Sequence, residues 1–155
     1  AGVLSCAWEP SGVERPMFEV VEPETAACLF ESAKAGTVTT VGGDLDTIMA
    51  GLACGEPSIL AWRILDRGAD AFMTIPDTAA AEAMRLLASL GVVGGESGVA
   101  GLAGLLEAAR DPALRAALKL DASSRVLCYG TEGATDAEVY RGIVGRSAEE
   151  VAGDA

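Results

Sequence analysis

Residues 69–110 read ADAFMTIPDTAAAEAMRLLASLGVVGGESGVAGLAGLLEAAR, and this stretch decides the fold. Ala69 to Ile75 is a β-prone run that stops at Pro76-Asp77, a pair suited to starting a helix. Beyond it Ala80, Ala83, Met84 and Leu87 recur at the spacing of one helical face. Gly94-Gly95-Glu96-Ser97-Gly98 breaks that helix off and opens another, which runs to about Arg110. A strand that turns directly into helices is the building unit of an α/β fold.

The flanking sequence repeats the pattern. Upstream, Met17 to Val21 is a short β-prone run closed by Glu22-Pro23, and a helix follows from about Thr25 to Ala33, ended by Gly36. Thr37 to Val41 reads as a second strand, broken by Gly42-Gly43, with Asp44 as N-cap of an apolar helix through Leu52. Ser58 caps the next helix, placing Trp62 and Leu65 inward and Arg63 and Asp66 outward. Downstream, Asp111-Pro112 is an N-cap followed by proline at the first helical position. Arg125 to Tyr129 reads as a fourth strand and Asp136 to Val144 as the last main helix. The alternation predicts an α/β fold with a mostly parallel sheet flanked by helices and right-handed crossovers. One domain is expected over 1–146, with 147–155 as a frayed acidic tail.

Composition narrows the chemistry. Eleven Lys and Arg face 23 Asp and Glu, so the 155 residues carry a formal charge of −12. That balance opposes nucleic acid, whose binding begins with cations neutralising phosphates, and an anionic membrane surface. There is no histidine, which removes imidazole acid–base chemistry, histidine-based triads and histidine-bound zinc. Half the residues are hydrophobic but only 5% are aromatic, so the core must be built of small and branched aliphatics, as in helices packed over a parallel sheet. A mean hydropathy of +0.34 argues against disorder. No uninterrupted apolar run reaches the ~18 residues of a membrane span, and no signal peptide is visible, so a cytoplasmic location is expected. Cys6, Cys28, Cys54 and Cys128 contain no CxxC pair, which argues against a zinc ribbon or a thioredoxin-type site.

In open α/β sheets ligands sit beyond the carboxyl ends of the strands. The turns there are Glu22-Pro23, Gly42-Gly43-Asp44, Pro76-Asp77 and Gly130-Thr131-Glu132-Gly133. The helix opened by Gly94 to Gly98 could hold an anion on its free N–H groups, although its spacing fits no phosphate-loop pattern. Equally, Gly98, Gly101 and Gly104 could simply let that helix pack closely. Glu96 either stabilises the helix dipole or, with Ser97, faces a ligand. Thr131-Glu132-Gly133 is either a cofactor-contacting turn or a plain loop before a cap at Asp136. Asp44 and Asp46 read as capping. Of the two lysines, Lys34 lies at a helix end and Lys119 in an amphipathic one, and neither context would desolvate it into a nucleophile.

Read together, several motifs resemble one family. Val21-Glu22-Pro23 with Ala26 and Cys28, the run Gly42 to Pro57 containing TIMAGLACGEP, Gly95-Glu96-Ser97-Gly98-Val99, Thr131-Glu132-Gly133 and Thr135-Asp136 closely resemble the diaminopropionate ammonia-lyases, in the expected order. The wider layout is similar to the fold type II pyridoxal phosphate enzymes, the group of threonine dehydratase and tryptophan synthase β. The resemblance spans the chain but matches only the C-terminal part of such enzymes. It implies that pyridoxal phosphate is the cofactor and that the complete enzyme, a homodimer of amino-acid catabolism, eliminates ammonia from 2,3-diaminopropionate to give pyruvate and ammonia. The Schiff-base lysine would lie upstream, leaving this chain without a catalytic residue and inactive alone. Gly51, Glu96, Ser97, Gly130 and Thr131 would contact the cofactor. Gly130 stands where the family tends to place serine, so either Thr131 supplies the hydroxyl or the ring nitrogen has no side-chain partner. Related enzymes bind a cation through a Glu-Pro…Ala-x-Asp pattern, but Cys28 replaces the last acid here and no metal is expected. Cys28 and Cys54 match two family cysteines that would form a disulfide. The alternatives are a serine/threonine dehydratase-like enzyme and a non-catalytic α/β binding module derived from the same fold.

Overall fold

The computed structural model describes residues 1–154, the side chain of Val13 excepted. Its helices and strands follow in the order α1 (Gly2–Ser11), β1 (Glu19–Pro23), α2 (Cys28–Ala35), α3 (Ile59–Gly68), β2 (Ala71–Ile75), α4 (Asp77–Ser89), α5 (Ala100–Arg110), α6 (Pro112–Ala117), α7 (Ala137–Val144) and α8 (Ala148–Ala152). β1 and β2 pair in parallel, with Val20 opposite Phe72 and Val21 opposite Met73. Helices cover both faces of this sheet, as expected for an α/β fold.

Alternation along the strands separates the faces. On one, Phe72 meets Trp62 of α3 with ring centroids 6.2 Å apart. The Glu22 carboxylate, on the same side, accepts the N–H groups of Leu29 and Phe30 at 3.0 and 2.7 Å and so holds the start of α2. α1 packs on α3 because Gly68 leaves room for Trp8 and Leu4. On the opposite face, Gly104 of α5 brings its backbone down on Val21 and Met73. There the main core joins Ile75, Ala80, Ala83 and Met84 to Val99, Ala103, Tyr140 and Met49, all at most 1% exposed. Each large aliphatic buried this completely contributes about 1.5–3 kcal/mol.

The local start and stop signals act as read in several places. Ser58 accepts the N–H of Ala61, Asp111 accepts those of Ala113 and Leu114, and Asp136 those of Glu138 and Val139. Gly36 ends α2 at φ 67°, a left-handed conformation that glycine adopts without strain.

Four expectations fail, each for a physical reason. Thr37 to Val41 forms no strand: Thr39 N–H is taken by the Ser32 hydroxyl and Val41 N–H by the Gly55 carbonyl, so this backbone is satisfied locally. Asp44 does not start a helix through Leu52. Leu45 sits at φ 49°, and Asp77 captures the Thr47 hydroxyl and, at 3.0 Å, the Ile48 N–H, leaving only a short 3₁₀ turn at Ala50–Leu52. Arg125 to Tyr129 forms no strand, because among the described residues no segment pairs with it. Within the tail, Ala148–Ala152 is helical instead of frayed, because Ser147 and Glu150 form a reciprocal capping box and Val151 is fully buried.

Candidate functional site

The turn before α5 and the segment after Tyr129 close on each other through backbone. Gly95 N–H donates to the Glu132 carbonyl at 3.0 Å. A Cβ at Gly95 would collide with the Gly133 carbonyl oxygen, and one at Gly98 would stand 2.5 Å from the Glu132 carbonyl oxygen. Only glycine permits that approach, which explains two of the glycines left ambiguous by spacing alone. The Glu132 carboxylate then accepts the N–H of Ser97 at 2.9 Å and the hydroxyl of Thr135 at 3.0 Å. Partial burial works to raise the Glu132 carboxyl. The Ser97 N–H and hydroxyl, the Thr135 hydroxyl and the Gly98 N–H together outweigh it and hold the group below its usual range.

Ser97 links this unit to a third segment. Its Oγ accepts the N–H of Gly51 at 2.9 Å, and a Cβ on Gly51 would fall 2.9 Å from that same oxygen. Gly51 belongs to the 3₁₀ turn whose preceding residues Asp77 anchors, so strand β2 and helix α4 position it indirectly. The structure therefore joins Gly51 to Ser97, with Glu96 the preceding residue of the same turn.

Glu96 is 5% exposed, and its Oε1 finds no hydrogen-bond partner. A buried acceptor left unpaired costs roughly 1–3 kcal/mol, so it is suited to a ligand that brings a donor. Gly130 and Thr131 lie alongside, both exposed, with open space where a Gly130 side chain would be. The unpaired acceptor at Glu96 and the open space at Gly130 fit a polar ligand that brings a hydrogen-bond donor.

Glu132 was marked in the sequence only as part of a candidate turn, and its bracing of Ser97 was missed, as was the anchoring of Thr47 and Ile48 by Asp77. The available signal was a carboxylate beside Gly133, after a candidate strand, in a chain with a second glycine-rich turn to face. Lys34 lies in the open, paired with Glu31 at 2.9 Å, and Lys119 is exposed. Cys28 is buried and donates to Glu22 Oε1 at 3.7 Å; Cys54 is exposed, and both are free thiols in this structure. Burial, the Glu22 charge and hydrogen bond, and the nearby Cys54 push the Cys28 thiol up to about 11. Among the described residues no three His, Cys, Asp or Glu side chains converge as metal ligands, and no helix is long and apolar enough to cross a membrane. Two shallow concavities of about 360 Å³ beside Trp8 and Arg67 share no residue with the 95–98 turn.

The family described as pyridoxal-phosphate dependent enzyme matches residues 7–131. Diaminopropionate ammonia-lyase of Escherichia coli is 40% identical over 141 residues, covering 86% of this chain and 35% of that protein. The crystal structure of the selenomethionine-incorporated holo form of the Escherichia coli enzyme superposes with a TM-score of 0.83 at 36% identity, covering 92% of this chain and 37% of that one. Maize serine racemase gives 0.63 at 26% identity, over 73% of this chain and 36% of its own. The chain thus spans little more than a third of the length of the relatives it matches.

Proposed function

The chain belongs to the pyridoxal-phosphate dependent enzymes, and from that membership we propose that it is the C-terminal part of a fold type II lyase that eliminates ammonia from 2,3-diaminopropionate, giving pyruvate and ammonia. The observation that carries the reading is the Gly51–Ser97 hydrogen bond next to the unpaired, buried Glu96, on residues that the family resemblance marks. The 40% identity to a diaminopropionate ammonia-lyase supports this substrate, and the lower likeness to serine racemase makes a hydroxy-amino acid a weaker reading.

Pyridoxal phosphate, when bound, supplies a ring that takes up the electron pair left at the substrate α-carbon. The residues of this chain hold and shape its surroundings. Gly51 lacks a side chain where the Ser97 Oγ packs, and its backbone would stand beside the ring. Glu96 offers Oε1 to a donor on the cofactor or substrate. Ser97 keeps Gly51 in place through its Oγ, and Glu132 keeps Ser97 in place through its N–H. The Gly130-Thr131 turn would face the ring nitrogen, with Thr131 as the nearest hydroxyl in sequence. No residue of this chain is assigned the Schiff-base role, which falls to a lysine in the rest of the enzyme. The same reading includes a cytoplasmic homodimer serving amino-acid catabolism, and a Cys28–Cys54 disulfide.

The test is pyruvate release by the complete polypeptide given pyridoxal phosphate and, in parallel, 2,3-diaminopropionate, serine or threonine. Preference for diaminopropionate is expected, with no turnover by residues 1–155 alone. Faster turnover of serine or threonine, or activity of the isolated chain, overturns the proposal. Thiol titration under denaturing, non-reducing conditions checks the disulfide: two free thiols support it and four exclude it.

A further inference from the structure

Asp77 follows β2 at the carboxyl end of the strand, where open α/β sheets meet their ligands. An acid in that place is a natural candidate to touch a substrate, yet its carboxylate is committed to its own chain. One oxygen accepts the Thr47 hydroxyl and the other the Ile48 N–H at 3.0 Å. Among the described residues the carboxylate accepts from no other group. Two oxygens on two successive residues fix both the position and the direction of that backbone, which a single bond would not.

The hold passes along the segment to the candidate site. Thr47 Oγ1 accepts the Met49 N–H at 3.1 Å, and the Ala50 N–H donates to the Ile48 carbonyl at 2.9 Å. Met49 is fully buried in the main core. Gly51 comes two residues later, and its N–H crosses to the Ser97 Oγ at 2.9 Å. An α-helix over 44–52 would direct these groups elsewhere, because the Gly51 N–H would bond the Thr47 carbonyl four residues back. Such a helix is what Asp44 and the apolar run after it favour locally. Only the path that Asp77 holds presents the Gly51 N–H to Ser97.

Given the reading that the cofactor lies beside Gly51, we propose that Asp77 is a positioning residue for pyridoxal phosphate. It selects the non-helical path of residues 47–52 and so sets the fraction of the protein in which the Gly51–Ser97 pair is assembled. Asp77 acts through this backbone and not by meeting the cofactor itself. Its influence falls on cofactor affinity, because a ligand that binds one of two conformations is weakened in proportion as that conformation is depopulated. Ser97, braced by Glu132, holds Gly51 from across the site, whereas Asp77 holds it from within its own segment, so the two supports are separate.

The experiment titrates pyridoxal phosphate into the cofactor-free complete enzyme, well below its melting temperature, and follows cofactor fluorescence and visible circular dichroism. Asp77→Ala and Thr47→Val are each expected to raise the cofactor Kd at least about 10-fold. The double variant is expected to bind within about 2-fold of Asp77→Ala, since both changes act on one support. Thr47→Ser keeps the hydroxyl and is expected to stay within about 3-fold of wild type. The dichroism of the bound cofactor is expected to change in the same variants. A merely structural Asp77 would lower the melting temperature and leave Kd and dichroism unmoved. A Kd within about 2-fold of wild type for Asp77→Ala, or equal weakening by Thr47→Ser and Thr47→Val, overturns the inference. If Asp77→Ala does not fold, Asp77→Asn takes its place, since it keeps an acceptor for the Ile48 N–H. It is expected to raise Kd at least about 3-fold, and an unchanged Kd overturns the inference. Gly51→Val tells a wrong site from a wrong role for Asp77. Unchanged binding by Gly51→Val overturns the site reading and the inference with it. Weaker binding by Gly51→Val beside an unchanged Asp77→Ala overturns the inference alone.

Discussion

Glu132 is the residue whose replacement most directly tests how the 95–98 turn is held. Its two carboxylate oxygens accept separate donors, Ser97 N–H at 2.9 Å and the Thr135 hydroxyl at 3.0 Å. Hydrogen bonds to a charged group contribute about 1.5–3 kcal/mol each when well formed, and Glu132 is only half-buried, so the low end applies. Glu132→Ala removes both bonds and strands the Ser97 N–H, which sets the expected loss at roughly 2–4 kcal/mol. Glu132→Gln behaves differently. Its carbonyl can still accept from Ser97, and its amide can donate to Thr135, whose hydroxyl rotates to accept, so only the charge assistance goes and about 1 kcal/mol is lost. Acidity separates the two effects. Because the carboxyl is held below its ordinary value in the folded chain, its contribution is complete above about 4.5, the unfolded value, and disappears as pH falls through the lower folded value. Urea titration of the complete enzyme and both variants from pH 3 to 8 reads this out. The gap between wild type and Glu132→Gln should close in acid while the Glu132→Ala deficit persists in part. A Glu132→Ala loss below about 0.5 kcal/mol, or a Gln gap unchanged at pH 3, would refute the bracing role.

Other substitutions probe separate links. Gly98→Ala drives a methyl 2.5 Å from the Glu132 carbonyl oxygen and 2.9 Å from its nitrogen, both backbone atoms that cannot swing aside, so a cost of about 1–3 kcal/mol and weaker cofactor binding are expected; an unchanged cofactor titration contradicts this. Gly142→Ala is the contrasting case, since its Cβ meets nothing within 4 Å inside α7, and thermal melting should show a gain of about 0.5–1 kcal/mol. Tyr140→Phe removes a buried hydroxyl that has no partner, so stability should hold within about 0.5 kcal/mol or rise, and a loss of 2 kcal/mol would reveal an unrecognised bond. In reduced protein at pH 8, Cys28 should alkylate far more slowly than exposed Cys6, because a thiol pushed up to about 11 is almost wholly protonated there; mass spectrometry of the labelled peptides reports the order.

The elements that could be read without coordinates are those whose causes lie within a few residues. Ser58 with Trp62 and Leu65 specifies a capped, amphipathic helix wherever it is placed, and Asp111-Pro112 and Asp136 act as helix starts for the same local reason. Gly51, Glu96, Ser97 and Thr131 were marked by the family resemblance of their motifs, while the residues by themselves left Glu96 between a helix-dipole role and a ligand contact. What escaped depended on partners distant in sequence. Asp44 looks like an N-cap, but whether residues 44–52 coil is decided by Asp77, some thirty positions away, which holds Thr47 and Ile48 out of helical geometry. Residues 125–129 have every local mark of a strand, yet a strand exists only through a neighbour, and among the described residues it has none. The tail looked too acidic to order until Val151 found the core beneath it. Glu132, placed in the sequence within a candidate turn, became a brace only when the fold set the 95–98 turn against it. Propensity and capping act over one helical turn and are written locally; strand pairing, burial and the closure of one loop on another are pairwise over the whole chain, and exist only once it has folded.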